Sequence, residues 1–232
     1  MGRIDEALQQ IESIGDKTER ALQLAGLLTT LFKIKGTMLV VTGQLAFDSY
    51  ANAASDKVEL EMAPLTGKLA PRMILEIMRG QLHARGVIYH WTAAGLPVHF
   101  LGQTEIVHPD LCRDFMTEHG VAKLLPAEEI AANCILSAVY PMPDFEAQTR
   151  ARLLLINGLT DAFHMDWKVL HDLCHRFEYR VGEELAQMRL AAKKDVDAMG
   201  ASPDPLAAQA PAPAVKAKIP RRPMFDDPNM PY

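Results

Sequence analysis

MLVVTGQLAFDSYANAASDKVELEM, residues 38–62, is the stretch around which the rest of the chain is arranged. Met38 to Thr42 is a short apolar, β-branched run that stops at Gly43, as a buried strand does on meeting a tight turn. Gln44 to Tyr50 has apolar residues at Leu45, Ala46 and Tyr50, a spacing that suits a short helix leaving that turn. Asn52 to Ser55 break the pattern. Val58 to Met62 then alternate, with Val58, Leu60 and Met62 on one face of a strand and Glu59 and Glu61 on the other. Two neighbouring carboxylates on one strand face can hold a divalent cation between them.

Upstream, Ile4 to Phe32 reads as one or two helices, with a break at Gly15-Asp16 and a stop at Gly36. Downstream, Pro64 to Ala70 reads as a loop. Pro71 opens an amphipathic helix over Arg72 to Arg85 that Gly86 caps. Val87 to Trp91 and Leu96 to Leu101 read as strands joined by an Ala93-Ala94-Gly95 turn. Gly102 to Asp110 is a loop, Leu111 to Gly120 holds a short helical piece, and Val121 to Leu125 adds an edge strand. Pro126 opens a helix reaching Tyr140, with Glu128 and Glu129 in the first turn, where negative charge complements exposed amides. Glu146 to Phe163, Trp167 to Phe177 and Glu183 to Met199 follow as helices.

The expected fold class is therefore α+β (mixed α/β): a small mixed sheet with flanking helices, then a helical half, then a tail. The expected divisions are a helical segment over 1–36, an α/β domain over 37–125, a helical half over 126–200 and a Pro/Ala-rich disordered tail over 201–232. Ile219 to Phe225 and Pro228 to Tyr232 give that tail apolar side chains with which to dock a protein partner, while an untethered solubilising tail is the more ordinary reading.

With 232 residues, 49% of them hydrophobic, the chain can bury one good core. No run of eighteen apolar residues occurs, so no membrane span is expected. The start, MGRIDEALQQIE, carries acids where an export signal needs basic and then apolar residues. Three widely spaced cysteines, Cys112, Cys134 and Cys174, fit reduced thiols, and a cytoplasmic location is expected. A net charge of −5 argues against a general nucleic-acid coat protein.

The stretch resembles the nucleotidyltransferase superfamily, particularly its small bacterial members and the toxin-type branch related to abortive-infection systems. Thr42-Gly43-Gln44 stands at that family's glycine motif, and Glu59-Leu60-Glu61-Met62 at its alternating acid motif. The run Leu125-Pro126-Ala127-Glu128-Glu129-Ile130 resembles the start of a later family helix. The likeness covers about Leu22 to Cys174. It implies that Gly43 and Gln44 lie near a nucleoside triphosphate and that Glu59 and Glu61 are the catalytic pair holding Mg²⁺. Arg72 and Arg79, seven residues apart on the predicted helix and near Lys68 and Arg85, are candidates to meet a triphosphate or a nucleic-acid backbone, with a solvated helix face as the more ordinary expectation.

The chain also departs from the family. Gln44 replaces a Gly or Ser, both acids are Glu, and His99 stands where a third carboxylate would act as base or ligand. Asp56 is an alternative first acid, and Glu105 is the acid nearest to the third position. These departures imply a domain that keeps the fold, has lost or altered the catalysis, and serves as a binding or adaptor module. The alternative is active Mg²⁺-dependent nucleotidyl transfer. Glu59 and Glu61 also read as a solvated strand face pairing with Lys57 and Arg72. A separate line of histidines, His164, His171 and His175, falls at i, i+7 and i+11 and raises a helix-borne zinc site as a third class. Surface or packing roles for them, and burial of Cys174, are the competing expectation.

Overall fold

Polar breaks and apolar runs mark out most of the elements. The computed structural model describes residues 2–53, 57–102 and 106–200. Helix α1 (Arg3–Ser13) ends before Gly15, and α2 (Lys17–Ile34) begins where the Asp16 carboxylate accepts the Glu19 N–H. Strand β1 (Met38–Thr42) follows, then α3 (Gly43–Ala51) and β2 (Leu60–Thr66). A short helix α4 (Pro71–Leu75) runs into a π-helical turn (Glu76–Gln81). Strands β3 (Arg85–Val87), β4 (His90–Ala93) and β5 (Leu96–Phe100) form a meander. Strands β6 (Arg113–Thr117) and β7 (Gly120–Leu124) form a hairpin. Four helices complete the order: α5 (Ala127–Val139), α6 (Phe145–Leu159), α7 (Trp167–His175) and α8 (Gly182–Gly200).

The seven strands make one mixed sheet in the order β3-β4-β5-β2-β1-β7-β6. β1 runs antiparallel to β2 and parallel to β7, while β2 runs parallel to β5. Strand alternation sorts the side chains. Leu39, Val41, Leu60, Met62, Val98, Phe100 and Trp91 occupy one face, each at most 3% exposed. The ring of Phe32 on α2 meets Phe100 at 5.2 Å on that side. Burying each such side chain stabilises the fold by about 1.5–3 kcal/mol. The other face carries Val40 and Ala63 under α3, which packs on β1 and β2 and in turn against α5 and α6.

Leu154, Leu155, Leu170 and Leu173 belong to the same core as the sheet, so the expected boundary at 125/126 falls inside one compact unit, Met1–Ala198. Of the second unit, Met199–Tyr232, only the end of α8 is described. The expected tail over 201–232, Asp56 and Glu105 lie outside the described residues. No helix among the described residues is long and apolar enough to cross a membrane.

The mixed α/β class holds, but several elements differ from the sequence reading. β2 continues through Pro64 to Thr66 because the ladder with β1 has an irregularity between Met38 and Leu39, beside the proline. The expected helix over Arg72 to Arg85 stops at the π-turn. Gly86 is no helix cap but pairs with Trp91 in β3–β4. The Ala94-Gly95 turn has both residues at positive φ, as a two-residue hairpin requires. Arg113 to Thr117 is a strand rather than a helical piece. It takes the sheet edge expected of Val121 to Leu125, leaving β7 inside between β1 and β6.

Candidate metal centre and adjoining cleft

The register of four strands brings the polar residues of the opening stretch into one line. Thr42 on β1 lies opposite Glu61 on β2, Glu61 opposite His99 on β5, and His99 opposite His90 on β4. Directly paired residues project to the same side of a sheet, so this row faces away from the Trp91, Val98 and Leu60 row. Glu59, just ahead of β2, is two residues from Glu61 and joins it. The ligating atoms of Glu59, Glu61 and His99 all lie within 4.8 Å of one another, and His99 Nδ1 is 3.8 Å from Glu59 Oε2. The His90 ring stands edge-on to His99, with centroids 4.8 Å apart. An octahedral ion with bonds of about 2.0–2.1 Å separates its donors by about 3–4 Å, so rotation of the two long Glu side chains closes the set.

Gly43 enters α3 with φ of +65°, and a Cβ there would stand 2.7 Å from the Glu61 carboxyl carbon. The missing side chain is what lets Glu61 lie over this turn. Thr42, 5% exposed, caps nothing on α3, and its Oγ1 has no hydrogen-bond partner. Gln44 does not project across the turn. Its Nε2 donates to Asp48 Oδ1 at 2.6 Å, which lays the side chain along α3. Burial pushes the Asp48 carboxyl above its ordinary range, opposed by the Gln44 hydrogen bond and the charge of Arg150.

Beside the row opens a cleft of about 520 Å³ between α3 and the α5–α6 pair, lined among others by Gly43, Gln44, Phe47, Glu61, Asn133 and Arg150. An adjoining hollow of about 440 Å³ shares Gln44, Glu61 and Arg150 and adds Lys57 and Glu59. The combined volume suits a small-molecule ligand. Arg150 lies over the Phe47 ring at 5.5 Å and pairs with Glu146 at 2.5 Å. It is the cationic side chain of α6 at this cleft.

Gly43, Gln44, Glu59 and Glu61 thus come together, whereas Arg72 and Arg79 do not join them. Arg79 donates to the Gly86 carbonyl at 3.3 Å and lies over Trp91 at 5.9 Å. Trp91 belongs to the opposite sheet face, so Arg79 is on the far side from the carboxylates. The π-turn that begins at Glu76 and contains Arg79 removes the shared face that a seven-residue spacing implies, and Arg72 is outside both hollows. Of the two partners expected for a solvated carboxylate pair, Lys57 shares the hollow with Glu59 and Glu61, and Arg72 does not.

The histidine line is also dispersed. Asp166 caps α7 through the N–H groups of Lys168 and Val169, which leaves His164 outside the helix. His171 and His175 stack with centroids 4.0 Å apart, and His175 Nδ1 lies 2.8 Å from the His171 carbonyl. No zinc triad forms from them. Cys174 is fully buried and its thiol is pushed up to about 12 by burial, as a packing residue should be.

Three contributions escape sequence reading. His99 stands in the place of a missing acid, and only the β2–β5 register converts it into a neighbour of Glu61. Arg150 is far from Glu61 in sequence and belongs to no motif. Glu128 and Glu129, read as helix-dipole partners, are buried tethers: Glu128 Oε1 accepts the Asp166 N–H at 2.6 Å and Glu129 Oε1 the His108 N–H at 2.8 Å. Burial raises the Glu129 pKa, against the lowering effect of its backbone hydrogen bonds. No protein-family model matches this sequence, and no curated protein matches it either.

Proposed function

We propose that this chain is a nucleotidyltransferase-like module that binds a nucleoside triphosphate through a divalent cation and serves as a binding or adaptor protein. One observation carries the reading: Glu59, Glu61 and His99 converge at the mouth of a cleft whose floor is the Gly43 turn and the start of α3. The order of β1, glycine turn, α3 and acidic β2, with β5 beside it, is the order that the resemblance implies. Glu59 and Glu61 would hold the ion, which supplies positive charge against the phosphates. The backbone amides at Gly43 and Gln44 and the guanidinium of Arg150 would meet the remaining phosphate charge. Phe47, Ile130 and Asn133 offer apolar contact and hydrogen bonding to the nucleoside end. Among the described residues no third carboxylate stands in the row to activate an acceptor, which favours binding over turnover.

Active nucleotidyl transfer is the second reading, favoured by the position of His99. Beside the acidic pair, an imidazole that is not engaged as a ligand can accept the proton of an attacking hydroxyl.

A thermal-shift titration tests the primary reading, using wild type and the Glu59→Gln/Glu61→Gln variant with each nucleoside triphosphate, with and without Mg²⁺ or Mn²⁺. A cation-dependent rise in melting temperature that the double variant loses is the expected result, since a ligand of the native state stabilises it. A folded protein that responds to no combination of nucleotide and cation refutes the proposal. Labelled pyrophosphate release in the same mixtures would shift the assignment to active transfer.

A further inference from the structure

The chemistry of the donor set goes further than the presence of an ion. Carboxylate and water oxygens suit Mg²⁺, which keeps most of its hydration shell, whereas an imidazole nitrogen suits first-row transition ions. Here one of the three converging donors is His99 Nδ1, 3.8 Å from Glu59 Oε2 and in register with Glu61. The edge-on ring of His90 restricts the plane of that imidazole.

Thr42 supplies a second, independent observation. It is paired with Glu61 in the β1–β2 ladder and sits on the same sheet face. Its hydroxyl is buried with no partner. Buried hydroxyls are nearly always satisfied, and the carboxylates that ligate metals are themselves held by such donors. Thr42 is thus an unpaired donor in register with Glu61, available to a carboxylate that ligates an ion. The glycine at 43 leaves the Glu61 carboxylate its place over the turn.

We infer that Glu59, Glu61 and His99 form a site for a transition metal ion of the Mn²⁺–Zn²⁺ class in preference to Mg²⁺. Three protein donors leave open coordination positions on such an ion, facing the cleft. This rests on the divalent-cation reading of the same residues and replaces the Mg²⁺ that the resemblance implies.

The test uses the full chain, stripped of metal, and the metals alone without nucleotide. Competition titrations with MgCl2, MnCl2 and ZnCl2 are made on wild type, Glu59→Gln/Glu61→Gln and His99→Asp. Wild type should take one equivalent of Mn²⁺ or Zn²⁺ at this site with affinity roughly tenfold or more above that for Mg²⁺. The double Gln variant should lose that equivalent. His99→Asp, which restores an all-carboxylate set, should weaken Mn²⁺ and Zn²⁺ by roughly tenfold or more and narrow the gap to Mg²⁺. Pulsed electron paramagnetic resonance of bound Mn²⁺ gives a readout that folding alone does not move. Nitrogen modulation from an imidazole should be present in wild type and absent in His99→Asp. Equal affinity for Mg²⁺, an unchanged preference in His99→Asp, or no nitrogen modulation overturns the inference. Transition-metal preference without nucleotide binding would sink only the nucleotide reading, and Mg²⁺-nucleotide binding without that preference only the metal assignment.

Discussion

Replacing Gly43 with Ala tests the local geometry of the site more directly than removing a ligand. Gly43 holds φ of +65°, and an L-residue in that region costs about 1–2 kcal/mol. For a unit of this size each kcal/mol lowers the melting temperature by about 2–4 °C, so a fall of about 2–8 °C is expected. The new methyl would stand 2.7 Å from the Glu61 carboxyl carbon. Ordinary carbon–carbon contact begins near 3.5 Å and Oε2 stands closer still than the carboxyl carbon, so the carboxyl group must retreat by at least about 0.8 Å. The group is the far end of a flexible side chain, and its retreat adds little to the folding cost. It matters to the ion, because binding sites tolerate displacements of only about 0.5 Å, and roughly 10- to 100-fold loss of Mn²⁺ affinity follows. Gly36→Ala is the control: φ is +83° there, but nothing lies within 4 Å of the added carbon. It should melt lower by a similar amount and bind metal as wild type does. Calorimetric titration and thermal melts of both variants decide the matter. If Gly43→Ala retains wild-type metal affinity, the placement of Glu61 over the glycine turn as a metal ligand is wrong.

Three further outcomes are expected. Glu129 has a raised pKa because it is buried, so its neutral form is favoured by folding and its contribution to stability declines as pH rises through that raised value. Glu129→Gln keeps an acceptor for the His108 N–H, and denaturant melts should show it gaining on wild type as pH rises above the ordinary glutamate range. Glu129→Ala leaves that amide unpaired and should lose about 1–3 kcal/mol. Burial pushes the Cys112 and Cys134 thiols up to about 11 and that of Cys174 to about 12, so all three should react slowly with a disulfide reagent at pH 8, Cys174 slowest of all. Fast labelling of Cys174 in the native protein would contradict its burial. Asp166→Ala removes the acceptor of two α7 amides and should cost about 0.5–2 kcal/mol, measured by urea unfolding; no loss would show that water replaces the cap.

The elements that were legible in the sequence are those whose apolar period is strong. α1 and α7 bury their apolar residues along one face, and β1 and α2 are apolar runs that are largely buried, so their patterns survive in one dimension; α8, of which Leu185 and Ala192 alone are buried, is legible from its helix-forming residues instead. β6 was not legible because Arg113, Asp114 and Met116 are exposed on an edge strand, so no apolar alternation marks it. β3 is three residues long and exists through its pairing with β4. For the site, the Gly43 turn and the Glu59–Glu61 pair are local and could be read directly. His99, Arg150 and the tethers formed by Glu128 and Glu129 depend on partners distant in sequence, which residue spacing does not encode. Arg72 and Arg79 misled for the converse reason: their spacing presupposes a regular α-helix, and the π-turn breaks it.

The row Thr42–Glu61–His99 is kept in line by residues that never touch it. Sliding β5 by one position against β2 would turn His99 to the opposite face and lift Val98 and Phe100 out of the core, at about 1.5–3 kcal/mol each. The apolar side of the sheet therefore acts as a ratchet for the polar side. Mutational drift can disperse the Glu59, Glu61 and His99 cluster without altering any of the three, by substitutions at Val98, Phe100 or Trp91 that loosen the strand's hold. Conversely, as long as that packing is intact, an imidazole is presented to the acidic pair whether or not anything selects for it.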